Sequence, residues 1–188
     1  MRFAPVLLLS LACAASAAPV KPPAHPAPKP PVIDTLFAEL AKAQSTDEAK
    51  PIEAQIMAQF EISGSPSVDL LMARGAAALD GGDSDTAKKL FSSVTQIAPN
   101  FAEGWHERAQ IQQQDGDDEA AMISLQKVIT LNPRQFEAMS ELGDMLEEYG
   151  NKPGALKMYR RALALDPQLE GANKHLRALE KDVEGQGI

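Results

Sequence analysis

The chain has 188 residues, a formal net charge of −8 at pH 7, a single cysteine and 5% aromatic residues. An acidic chain with few aromatic residues is not expected to bind nucleic acid, because contacts to phosphates need a basic surface. Hydrophobic residues make up 44% of the sequence, which is enough to build the core of one folded domain.

The first predicted element is a signal peptide over residues 1–17. Arg2 is followed by an apolar run and then by small residues up to Ala17, the order that is typical of secretory signals. Because this run is too short to span a bilayer, we expect a periplasmic protein without a transmembrane segment. The alternative is a lipoprotein anchored through Cys13, although Ser10 stands where such sequences usually have an aliphatic residue.

A proline-rich linker is predicted for residues 18–32. Seven of the fourteen residues from Pro19 to Val32 are proline, a density that excludes both helix and strand and favours polyproline II. The folded part is therefore expected to begin near Ile33.

A period of 34 residues dominates the rest of the chain. Each period predicts two helices, since apolar residues recur in steps of three and four, a glycine ends the first helix and a proline follows the second. The recurring positions are Pro99, Pro133 and Pro167; Gly82, Gly116 and Gly150; Ala87, Ala121 and Ala155; and Gly75, Ala109 and Gly143.

This pattern resembles the tetratricopeptide repeat, with units at 68–101, 102–135 and 136–169. The large residue at the family's fourth place is Leu71, Trp105 and Met139, and the residue at the twenty-fourth is Phe91, Leu125 and Tyr159. The seventh place departs from the family's leucine in two units, which have Arg74 and Arg108. The resemblance implies an all-α, right-handed α-solenoid of helical hairpins, with seven to nine helices.

Two further segments are expected to close the ends of this solenoid. Residues 33–67 are interpreted as a degenerate helical hairpin that caps the N-terminal end, with Phe37 at the fourth place and Pro51 matching Pro153. Glu53 occupies the twentieth place, where the repeats have alanine. Residues 170–183 are predicted to form a C-terminal capping helix with its basic residues facing solvent.

The resemblance also implies a concave groove lined by the first helix of each hairpin. His106, Gln110 and Gln113 are expected to form its polar centre and to face outward, so that replacing all three with alanine should change stability little. Acidic residues in the third unit favour a basic ligand. The predicted partner-binding residues are Met72, Leu79, Glu103, His106, Gln110, Gln113, Ser140, Asp144 and Glu147.

No catalytic, cofactor-binding or metal-binding residue is predicted. Glu103 and His106 have the spacing of half a di-iron site, but that site needs a second such pair and two further glutamates. A nucleophile elbow, a phosphate-binding glycine loop and a pair of histidines on one helical face are all lacking.

The sequence therefore predicts an exported scaffold or adaptor, not an enzyme, that binds a protein or peptide in assembly or maintenance of the cell envelope. The layout resembles that of small proteins of alphaproteobacterial envelopes. The alternatives are a lipid-anchored subunit of an outer-membrane assembly complex and a cell-wall enzyme. A basic patch of Lys157, Arg160 and Arg161 on the convex side is the second candidate surface.

Overall fold

The computed structural model describes residues 32–185, with side chains described as far as residue 181. The predicted signal peptide and nearly all of the predicted linker lie outside this range. Residues 32–185 form helices and no strand, so the predicted all-α solenoid is confirmed. Within this range no helix is both long enough and apolar enough to cross a membrane. The helices are α1 (Val32–Leu40), α2 (Thr46–Phe60), α3 (Pro66–Asp80), α4 (Ser84–Ile97), α5 (Ala102–Gln114), α6 (Asp118–Leu131), α7 (Phe136–Glu148), α8 (Lys152–Leu165) and α9 (Ala172–Gly185).

The turns inside the three repeated hairpins, α3–α4, α5–α6 and α7–α8, share one construction. Each contains a glycine with positive φ, near +75°, a backbone conformation that side chains other than glycine rarely adopt. The residue after the glycine caps the next helix by accepting a hydrogen bond from a backbone N–H three residues later. The glycines are Gly82, Gly116 and Gly150, and the capping residues are Asp83, Asp117 and Asn151.

The two helices of a hairpin touch through two residues of complementary size. One stands at the repeat's eighth place (Gly75, Ala109 or Gly143) and the other at its twenty-fourth. Where the twenty-fourth residue is aromatic, the eighth is glycine: a Cβ on Gly75 would lie 2.5 Å from Cε1 of Phe91, and one on Gly143 would lie 2.8 Å from Cε1 of Tyr159. In the central hairpin the smaller Leu125 stands at the twenty-fourth place, and the eighth is Ala109. Ala109, Leu125, Phe91 and Tyr159 are all fully buried.

This matching predicts a change of sign in a double-mutant cycle. Gly75→Ala should overpack against Phe91 at a cost of about 1–3 kcal/mol, which exceeds the roughly 1 kcal/mol that alanine gains over glycine in a helix. In a Phe91→Leu background the same Gly75→Ala substitution should become stabilising. Urea unfolding of the four proteins measures both effects. If Gly75→Ala has the same sign in both backgrounds, the two positions are not coupled.

Successive hairpins stack through the second helix of one and the first helix of the next. Gly104 of α5 lies against α4, where a Cβ on the glycine would be 2.5 Å from Cγ1 of Val94. At the C-terminal end α9 packs on α8, with Ala172 and Leu179 buried and the His175 ring 5.6 Å from the Tyr159 ring. The last repeat is therefore covered by α9.

The first hairpin, α1–α2, does not cap the N-terminal end of the repeats as predicted. Instead of capping α3, it packs against the N-terminal end of α7 and against the turn between α8 and α9. The rings of Phe37 and Phe136 meet edge to face with centroids 6.2 Å apart, Arg134 lies 3.8 Å above the Phe37 ring, and the Gln168 side chain donates to the carbonyl of Ala43 at 3.2 Å.

The apolar residues explain this position. Leu40, Ala49 and Ile56 are fully buried and belong to one core with α5–α9, whereas Phe91 of α4 belongs to a separate small cluster. The outer face of α3 offers little apolar surface for the hairpin to bury, because the seventh place of this repeat is the exposed Arg74. The hairpin therefore buries more apolar surface beside Phe136 than it could bury on α3.

The helix bounds of this hairpin also differ from those of the repeats. Helix α2 begins at Thr46, with Ser45 accepting a hydrogen bond from the backbone N–H of Glu48. As a result Pro51 is the sixth residue of α2, while Pro153 is the second residue of α8. The predicted match of these two prolines is therefore wrong.

Candidate functional site

The concave face is formed by α3, α5 and α7, and α2 lies across part of it. The sulfur of Met57 on α2 lies 3.7 Å from the side-chain nitrogen of Gln135. The same nitrogen donates to Glu103 of α5. Near its C-terminal end, α2 approaches α3 and Glu107 of α5 across an open cleft of about 320 Å³. The groove predicted for a partner is thus partly filled by the chain itself.

The predicted groove residues fall into three groups. Glu103 and His106 are buried, and Asp144 is exposed. Met72 and Leu79 pack against the cluster that contains Phe91. The side chains of Gln110 and Gln113 are partly exposed and form no hydrogen bond among the described residues. The half-buried ones are Met72, Leu79, Gln110, Gln113, Ser140 and Glu147.

His106 lies at the centre of a buried cluster of ionisable groups. Its Nδ1 is 3.0 Å from Oε1 of Glu103, and its Nε2 is 3.0 Å from Oε2 of Glu141. Gln135 donates its side-chain N–H to the other oxygen of Glu103 at 3.3 Å. Since only 2% of His106 is exposed, the expectation that its side chain faces outward is wrong.

This geometry holds His106 in its charged form. Both ring nitrogens face carboxylates, so both must carry a proton for each contact to be a hydrogen bond. Burial by itself would lower the pKa of His106, but the hydrogen bonds to Glu103 and Glu141 outweigh burial and raise that pKa well above its ordinary value. Burial also raises the pKa of Glu107 and of Glu137 nearby. The groove floor is therefore rich in carboxylates around one imidazolium.

A second cluster joins α2 to the turn between α8 and α9. Asp166 is fully buried, and one of its oxygens accepts from the backbone N–H of Gln168 at 2.9 Å. Its other oxygen, Oδ2, and Oε1 of Glu53 are both buried and have no donor among the described residues. Burial and a hydrogen bond to Asp166 raise the pKa of Glu53 to about 7. A proton on Glu53 supplies the missing donor.

We expect this pair to make the docking of α2 sensitive to pH. The raised pKa of Glu53 means that its contribution is fully present below the ordinary value of 4.5 and is lost as pH rises through about 7. The groups facing Glu53 are Asp166, Glu137 and, on its own helix, Lys50.

Glu53→Gln should therefore stabilise the protein at pH 8, where the amide donates to Asp166 without needing a proton. The expected gain is about 1 kcal/mol once solvent screening is allowed for, and it should be near zero at pH 5. Thermal melts at both pH values measure it, with Glu39→Gln on the exposed face of α1 as the control. A gain of equal size at pH 5 and pH 8 would exclude the shared proton.

The far end of the groove is held by internal contacts. The Tyr159 hydroxyl lies 2.6 Å from Oδ1 of Asp144 and 3.0 Å from Oε2 of Glu147. The same Glu147 oxygen is 2.9 Å from Nδ1 of His175 on α9. Two predicted partner-binding residues therefore also fix α8 and α9 against α7.

The convex basic patch lies on α8. Lys157, Arg160 and Arg161 line a shallow depression of about 470 Å³, and Arg160 pairs with Glu180 of α9 at 2.8 Å. Arg161 also donates to the sulfur of Met158 at 3.8 Å, so two of the three cations already have partners within the chain.

Residues 102–135 match the family described as the tetratricopeptide repeat. A TPR repeat-containing protein of Rhizobium etli is 27% identical over 153 residues, which cover 81% of this chain and 75% of that protein. These matches and the three 34-residue units agree on the repeat predicted from the sequence.

Solved structures show the same fold. The crystal structure of MamA has a TM-score of 0.57 at 20% identity, covering 75% of this chain and 78% of that one. The first TPR of Spaghetti (RPAP3), bound to an HSP90 peptide, also has a TM-score of 0.57 at 20% identity, covering 62% and 93%. A Thermobaculum terrenum O-GlcNAc transferase has a TM-score of 0.54 at 23% identity; the match covers 60% of this chain but only 22% of that enzyme. Proteins built from this repeat are generally non-catalytic scaffolds.

Proposed function

We propose that this chain, which contains tetratricopeptide repeats, is an exported scaffold that binds a protein or peptide of the cell envelope through its concave groove. The general role, a scaffold for protein–protein interaction, follows from the fold. The groove as the binding surface, the periplasm as the location and the envelope as the setting are our proposals.

The observation that carries the proposal is that the groove already accommodates a polypeptide segment, the chain's own α2. Ile56 of α2 is fully buried in that position, and Ala49 is too. Beyond α2 the open part of the groove keeps Gln110 and Gln113 partly exposed, and their amides can both donate to and accept from a ligand.

Site-specific photo-crosslinking in the native host tests the surface. A photoreactive residue at Gln113 should give covalent adducts with one or a few envelope proteins, identified by mass spectrometry. The control is the same residue at Gln126, which is exposed on α6, away from the groove-forming helices. The same adducts from both positions, or adducts from Gln126 alone, would move binding away from the groove.

The mass of the mature N-terminus tests the export route. Cleavage after Ala17 should leave an unmodified chain in the periplasmic fraction. A chain that begins at a diacylated Cys13 would instead support the lipid-anchored alternative. An uncleaved N-terminus would contradict both interpretations.

A further inference from the structure

Helix α2 presents a helical, amphipathic face to the groove. Ala49 and Ile56 are fully buried, Ile52 and Phe60 pack against the same core, and the four residues follow steps of three and four along one side of the helix. The opposite side, which includes Pro51 and Ala54, is exposed. The groove is thus shaped for an α-helix, in contrast to an extended peptide.

One charged residue of α2, Glu53, does not complement the surface on which α2 packs, which we call the seat of α2. Glu53 lies on the groove side of α2 and faces Asp166 and Glu137, with both buried oxygens of the Glu53–Asp166 pair lacking a donor. At the rim, Glu170 pairs with Lys50 of α2 at 2.9 Å, so a cation of α2 is already matched to a carboxylate there. A lysine or arginine in place of Glu53 would supply donors to both Asp166 and Glu137.

The ion pairs that hold the hairpin to the solenoid are partly exposed. Arg134 bonds to Asp34 at 2.5 Å, with the arginine side chain 36% exposed and the aspartate 46% exposed. Ion pairs of this exposure contribute little, typically below about 1 kcal/mol. An external helix competes with a tethered one at an effective concentration in the millimolar range, so it must fit better to replace it.

We propose that the partner is an amphipathic α-helix of another protein, with apolar residues spaced as Ala49, Ile52, Ile56 and Phe60 are and with a lysine or arginine at the position of Glu53, and that it binds by displacing α2. This inference rests on the proposed function, because it names the class of ligand for the same groove. In the absence of the partner, α2 occupies the binding site and shields its apolar surface from solvent.

Fluorescence anisotropy with two synthetic peptides tests the inference. Both cover residues 44–62 of this chain, one with the native sequence and one with Glu53→Lys. The proteins are the native chain from residue 18, an Ile56→Asp variant in which the hairpin leaves its seat, and a Glu53→Lys variant in which the hairpin should hold its seat more tightly. Hydrogen exchange of α5–α8 confirms that each protein is folded.

We expect the substituted peptide to bind the Ile56→Asp protein at least ten-fold more tightly than it binds the native chain, and not to bind the Glu53→Lys protein. At pH 8 the substituted peptide should also bind the Ile56→Asp protein at least ten-fold more tightly than the native-sequence peptide binds it. Arg134→Ala, which only loosens α1, is the second opening variant and should give an intermediate affinity.

Two results would overturn the inference. Equal affinities of the two peptides at pH 8 would remove the basic residue from the ligand class. Equal affinities of the substituted peptide for all the proteins would show that it binds without displacing α2. Neither result touches the proposed function, since adducts formed from Gln113 would still mark the groove as a binding surface for a ligand of another class.

Discussion

Replacing His106 with alanine is expected to lower the free energy of unfolding by about 3–5 kcal/mol, because removal of one partner leaves buried carboxylates unpaired. His106 is the cation between Glu103 and Glu141, with both contacts at 3.0 Å. Urea unfolding followed by circular dichroism at pH 6 measures the loss. The effect should shrink at high pH, since a raised histidine pKa gives stability that is complete below the unfolded value, near 6.5, and is lost as pH rises through the folded one.

The matched control for this prediction is His175→Ala. His175 also contacts one glutamate, Glu147 at 2.9 Å, but its side chain is 44% exposed. We therefore expect this substitution to cost no more than about 1 kcal/mol. Equal losses for the two histidines would mean that the buried cluster adds nothing beyond a surface ion pair.

Introducing a charge at Ile56 is expected to release the first hairpin while α3–α9 stay folded. Ile56 is fully buried, so Ile56→Asp places a carboxylate without a partner among apolar groups and near Glu53, at a cost of several kcal/mol. Hydrogen exchange should show loss of protection over residues 32–60, with α5–α8 still protected. Trypsin should then cut first after Lys42, since Lys50 is followed by Pro51 and is not a trypsin site.

Gln59→Asp is the control for this second prediction, because it makes the same change in charge at an exposed position of α2. It should leave both protection and cleavage nearly unchanged. Complete unfolding of the Ile56→Asp variant would instead show that the hairpin and the repeats fold as one cooperative unit, contrary to this expectation.

The repeats were predictable because their determinants are local. Turn glycines, capping residues and closing prolines lie within a few residues of the helix ends that they define, and the 34-residue spacing repeats them three times. The register that follows places Gly75, Ala109 and Gly143 at buried contacts, which is where the structure has them.

The position of the first hairpin was not predictable in this way. Asp34 and Arg134 meet across a sequence separation of 100 residues, and no local pattern specifies that contact. One signal was present in the sequence: Glu53 stands at a place where a repeat needs a small residue, so this hairpin could not pack as the others do. The burial of His106 was missed for a related reason, because its partner Glu141 comes from the next unit.

The pairing of glycine with an aromatic residue, and of alanine with leucine, defines the unit in which this array can be recombined. Whole hairpins carry both halves of the match, so a duplicated or transplanted hairpin brings its own complementary pair. A chimera that exchanged only α3 for α5 would set Ala109 against Phe91, which leaves no room for a Cβ at that point. Lengthening or reordering the array by gene duplication is therefore compatible with its core only in steps of two helices.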